Sequence, residues 1–85
     1  MIKMTKNVMR ELLKEENYMD ALALVTNKVA KFKTFEGQDA ERERIYNKLM
    51  NWAYEFNAEA DEDDYNDYEE NVLRIDSAIW CAIDE

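Results

Sequence analysis

The chain has 85 residues, 20 Asp or Glu against 11 Lys or Arg, no His, no Pro, one Gly, one Cys and a formal net charge of −9. A chain of this length makes one domain (1–85), with a modest core that buries only about 60% of the surface its unfolded form exposes. Lack of His removes the commonest general base and transition-metal ligand, a single Cys rules out an internal disulfide or a cysteine metal knuckle, and a single Gly rules out a phosphate-cradling loop.

Scarce Gly and Pro argue against a turn-rich β architecture, while abundant Ala, Leu, Glu, Lys, Met and Arg favour helix. A first helix is predicted over 5–16, with Val8, Met9, Leu12 and Leu13 forming an apolar stripe. A second is predicted over 18–33, capped by Asn17 and assisted by Asp20, with Met19, Leu22, Val25, Val29 and Phe32 inward and Lys28, Lys31 and Lys33 near its C-terminal pole. Thr34 to Gln38 holds the one glycine and reads as a loop. Asp39 then reads as the cap of a third helix over 39–60, whose inward face runs Ile45, Leu49, Trp52, Phe56. A fourth is predicted over 64–83, with Tyr68, Val72, Ile75, Ile79 and Ala82 in phase and Leu73, Trp80 and Ile83 beside them. Cys81 reads as a small buried apolar residue. The expected fold is all-α, a compact bundle of three or four helices.

Charge is unevenly spread. Residues 1–33 hold seven bases and four acids, whereas residues 34–85 hold four bases and sixteen acids. Nine of these acids fall between 55 and 70 with no base among them: Glu55, Glu59, Asp61, Glu62, Asp63, Asp64, Asp67, Glu69 and Glu70. Asp61, Asp63 and Tyr65 echo the first positions of a calcium loop, but Asn66 stands where the turn glycine belongs and Val72 where the closing glutamate belongs. Glu69-Glu70 begins like the Glu-Glu-x-x-Glu pattern of all-helical nucleotide pyrophosphohydrolases of the MazG type, yet Leu73 occupies the fifth position. No catalytic residue, metal or cofactor is expected, and the chain is not read as an enzyme.

Were 55–70 one helix, it would span about 24 Å and carry one charge per roughly 2.7 Å, near the one per about 1.7 Å of duplex DNA. Glu55, Glu59, Glu62 and Glu69 would share a face. In size and charge the chain resembles the small acidic DNA-mimic proteins that bacteriophages use against restriction, CRISPR and repair enzymes. This implies a partner-binding surface of those nine acids with Tyr65 and Tyr68 as anchors, and a nucleic-acid-binding protein with a basic groove as partner. Direct binding of nucleic acid or membrane is not expected. The alternatives are an ordinary solvated acidic face, or a helical regulatory or adaptor module docking through apolar helix faces.

Lys3, Lys6, Arg10 and Lys14 line one side of the first helix. They are expected to lie against the chain's own acidic helix or that of a second copy in a homodimer. The opening residues lead into an amphipathic segment rather than an apolar run, and the lone thiol suits a reducing compartment, so a cytoplasmic protein is expected.

Overall fold

The computed structural model describes residues 3–59 and 67–84, and among these it contains four α-helices. Helix α1 (Lys6–Leu12) starts where the Thr5 hydroxyl accepts the Val8 N–H at 3.3 Å, satisfying a donor that has no partner within the helix. It is shorter than the predicted 5–16. The chain turns at Leu13 and passes through one 3-10 turn (Glu15–Asn17) into α2 (Tyr18–Val29). Asn17 does not cap α2 as expected; its side-chain amide donates to the Glu11 carbonyl at 2.8 Å and pins the turn.

Helix α2 ends at Val29 rather than 33. Met19 and Phe32, expected inward, are exposed, so the buried face narrows to Ala21, Val25 and Val29. The link to α3 (Phe35–Glu59) is earlier than predicted. Thr34, not Asp39, precedes the helix, and its hydroxyl accepts the Gly37 N–H at 3.0 Å. Gly37 therefore lies in the first turn of α3 instead of a loop. A Cβ there would stand 3.0 Å from the Thr34 hydroxyl and 3.4 Å from the Phe32 ring, so the missing side chain leaves room for that cap and for the chain folding back over it. Helix α4 (Tyr68–Asp84) follows an Asp67 cap, whose carboxylate accepts the Glu70 N–H at 3.2 Å.

Helices α3 and α4 lie antiparallel. At one end Phe56 meets Tyr68 edge-on at 5.2 Å, and at the other Phe35 faces Trp80 at 6.2 Å. Ile45, Leu49, Ala53 and Phe56 of α3 interleave with Tyr68, Val72, Ile75 and Ile79 of α4, and α1 and α2 close this core with Met9, Leu13, Ala21, Val25 and Val29. The all-α bundle expected from the sequence is the observed fold. Trp52 is only half-buried, with the Lys48 ammonium 5.2 Å from its ring. Leu73, Trp80 and Ala82 face solvent, as does Cys81, which was expected to be buried. No described helix is long and apolar enough to cross a membrane.

Among the described residues one polar side chain sits in the core. Asn71 on α4 is fully buried and donates its amide to the Leu13 carbonyl, at the end of α1, at 2.7 Å, while its Oδ1 has no partner among the described residues. Asn71→Ala strands that carbonyl, so a loss of about 1–3 kcal/mol of unfolding free energy is expected in urea titration; an unchanged midpoint and slope would contradict the role assigned to this bond.

Candidate partner-binding surface

The acids of the 55–70 run do not form one helical array. Glu55 and Glu59 close α3, Glu69 and Glu70 open α4, and the two helices run in opposite directions. Asp61, Glu62, Asp63, Asp64 and Tyr65 lie outside the described residues. The face that Glu55, Glu59, Glu62 and Glu69 would share on a single 55–70 helix does not arise; the third and fourth helices, expected as separate elements over 39–60 and 64–83, instead set two helix ends side by side. The reason is the core: Phe56 and Tyr68 both point inward and meet, which a single straight helix through 70 would forbid.

Each described acid of the run has a local structural use. Glu55 and Glu59 stand near the C-terminus of α3, where the helix dipole disfavours negative charge and the last turn holds no base. Helix α1 supplies the missing cations: the Lys6 Nζ lies 2.9 Å from Glu55 and Arg10 2.7 Å from Glu59. The basic line of α1 thus faces the chain's own acidic helix, one of the two arrangements expected. Lys14 departs from that line and pairs with Glu11 at 3.0 Å, and this hydrogen bond raises its ammonium above its ordinary pKa. Lys3 makes no ion pair among the described residues.

Asp67, Glu69 and Glu70 occupy the cap and first turn of α4, where the dipole favours carboxylates. The Glu69 carboxylate accepts the Asn57 amide at 3.1 Å across the α3–α4 seam. Tyr68 is 4% exposed, so its ring belongs to the core and is not available as a surface anchor. Of the two tyrosines expected to anchor a partner, only Tyr65 is left, outside the described residues. Among the described residues no three carboxylates or thiols gather closely enough to hold a metal ion.

A second surface went unread in the sequence. Phe32, Phe35 and Trp80 are each more than two-fifths exposed and gather where α3 begins and α4 nears its end. The available signal was phase: Trp80 lies off the Val72–Ile75–Ile79 line, while Phe32 falls within the five-residue link between α2 and α3 and Phe35 opens α3. Trp80 is held from beneath by Arg42, whose guanidinium carbon sits 5.0 Å from the ring and whose donors bridge Asp39 at 2.8 Å and Asp76. Burial works against the Arg42 charge, but the hydrogen bonds to Asp39 and Asp76 outweigh it and raise the pKa above its ordinary value.

Arg10 and Arg74 repeat that pattern. Arg10 lies 5.1 Å from the Phe56 centroid while pairing with Glu59, and Arg74 lies 5.9 Å from the Tyr18 centroid while pairing with Glu15 at 3.1 Å. Three arginines thus join different elements, each placed between a carboxylate and an aromatic ring. No protein-family model matches this chain, and no curated protein or solved structure matches it.

Proposed function

We propose that this chain is a small acidic inhibitor that binds proteins in the cytoplasm, presenting carboxylates to the basic groove of a nucleic-acid-binding protein and competing there with the phosphate backbone. The observation that supports this reading is the side-by-side placement of the α3 C-terminus and the α4 N-terminus. It brings both flanks of the Asp61–Asp64 cluster to one end of the bundle. With Glu55 and Glu59 already satisfied by α1, the acids given this role are Asp61, Glu62, Asp63 and Asp64, together with Asp67 and Glu70. A focused negative end steers a cationic groove and releases counterions much as nucleic acid does.

The test is retention of partners from a bacterial lysate on the immobilised protein at low and high salt, with duplex DNA as competitor. Nucleic-acid enzymes that elute with salt, and that DNA displaces, are the expected result. Glu62→Lys, Asp63→Lys and Asp64→Lys together are expected to weaken that retention on the order of a hundredfold. Retention unaffected by either DNA or the triple substitution ends the proposal.

The exposed Phe32, Phe35 and Trp80 favour a second reading, a helical adaptor that docks through an apolar patch. Its signature is a partner held equally at both salts and released by Trp80→Ala with Phe35→Ala.

A further inference from the structure

On the opposite side of the charge ledger lies a cleft between the residues that precede α1 and the C-terminal half of α2. It is open to solvent on one side and has a volume of about 530 Å3, within the roughly 300–1,000 Å3 of small-ligand sites. Met4 and Leu24 give it an apolar lining; Met4 is buried there as part of the core and Leu24 is half-buried. Lys3, Lys28 and Lys31 stand around it, with the Asn27 amide beside them and no carboxylate among the described residues of the wall.

The described wall thus carries positive charge alone in a chain that is acidic overall. Acids outnumber bases 20 to 11, and every arginine, with Lys6 and Lys14, pairs with a carboxylate. Among the described residues Lys3, Lys28, Lys31, Lys33 and Lys48 do not, and three of these five line this one cleft. The dipole of α2 accounts for Lys28, which lies in the last turn. It accounts neither for Lys3, contributed by a different segment, nor for the apolar lining. Three lysines line the cleft and none of the described residues in its wall is an acid, so an anion placed there gains attraction from each ammonium without opposing charge.

We propose that this cleft binds a small amphiphilic anion, its charged head among Lys3, Lys28 and Lys31 and its apolar body against Met4 and Leu24. Ammonium groups act as point charges without the planar fork of arginine, so they accept a phosphate or a carboxylate head alike. The site lies apart from the acidic run and stands or falls independently of the proposed inhibition.

The experiment is a titration of the isotopically labelled full chain, followed by backbone amide shifts, with octyl phosphate below its micellar concentration. Saturable shifts centred on Met4, Leu24, Asn27 and Lys28 are expected. Lys28→Gln with Lys31→Gln, and separately Lys3→Glu, should each weaken binding about tenfold or more, as expected when charge-assisted contacts are lost. These are polar replacements of side chains outside the core, and an unchanged helical circular dichroism spectrum checks that each variant folds. Inorganic phosphate and octanol are each expected to bind at least about tenfold more weakly, because each lacks one half of the recognition. Octanoate binding as well as octyl phosphate supports a general anionic head, and octyl phosphate alone supports a phosphate. Shifts that do not saturate or that centre elsewhere, inorganic phosphate binding as tightly as octyl phosphate, lysine variants without effect, or capture only by vesicles of anionic lipid would each overturn the proposal.

Discussion

Phe56→Ala is expected to destabilise the domain by about 3–5 kcal/mol, the range for a large aromatic removed from a packed core. Phe56 is 2% exposed and joins three helices: it sits on α3, takes the Tyr68 ring of α4 edge-on, and lies against Arg10 of α1. Truncation removes the buried ring surface, the aromatic pair and the platform under the guanidinium together. A domain's whole stability is about 5–15 kcal/mol, and a short chain lies toward the lower end, so a substantial unfolded population is expected before any denaturant is added. Thermal unfolding followed by far-ultraviolet circular dichroism reads this directly. Tyr54→Ala, two residues away but exposed, is the comparison and should move stability by less than about 0.5 kcal/mol. Equal losses at the two positions would mean that Phe56 is not the junction described.

Arg42→Met carries the second largest effect, about 2–4 kcal/mol. Arg42 is four-fifths buried and serves Asp39, Asp76 and the Trp80 ring at once. Replacing it leaves the Asp76 carboxylate, itself largely buried, without its cation. Adding Asp76→Leu to Arg42→Met removes the stranded charge and is expected to recover most of the loss, since an apolar pair of similar volume is often as stable as the ion pair it replaces. Urea titration of the two single variants and the double gives the coupling energy; strict additivity would show that the pair makes no net interaction. The raised pKa of Arg42 has a definite sign in this linkage. The contribution of its own titration is fully present below the ordinary guanidinium pKa and is lost only as pH rises through the higher folded value, so deprotonation of Arg42 adds no pH dependence near neutral pH.

The fold class and most of the core were legible from periodicity. Ile45, Leu49 and Phe56, then Val72, Ile75 and Ile79, recur at helical spacing, and the bundle buries those faces. Helix ends were less legible because they depend on local polar chemistry. Gly37 reads as a breaker, yet the first turn of a helix tolerates it: the N–H groups there need outside partners whatever the residue, and Thr34 supplies one. Met19, Phe32 and Trp80 show the limit of counting apolar residues, since an amphipathic helix in a small domain has more apolar positions than the core has space. The pairing of Lys6 and Arg10 with Glu55 and Glu59 was open to inference as charge complementarity, but which acids would be taken was not, because that follows from the α1–α3 contact. Tyr68 misled for a related reason. Its neighbours in sequence are charged, while its phase matches Val72 and Ile75, and phase decides burial.

The placement of three arginines between rings and carboxylates has a consequence for how the protein responds to its solvent. Dissolved salt weakens attraction between exposed charges but leaves dispersion and ring-face contacts largely intact. Arg10, Arg42 and Arg74 each keep an aromatic contact after their ion pairs are screened. The bundle is thereby set to tolerate ionic strengths that would strip a purely electrostatic partner from its surface, so assembly and folding respond to salt over separate ranges. A lysine at any of the three positions would retain the charge and lose the stacked plane, drawing those two ranges together.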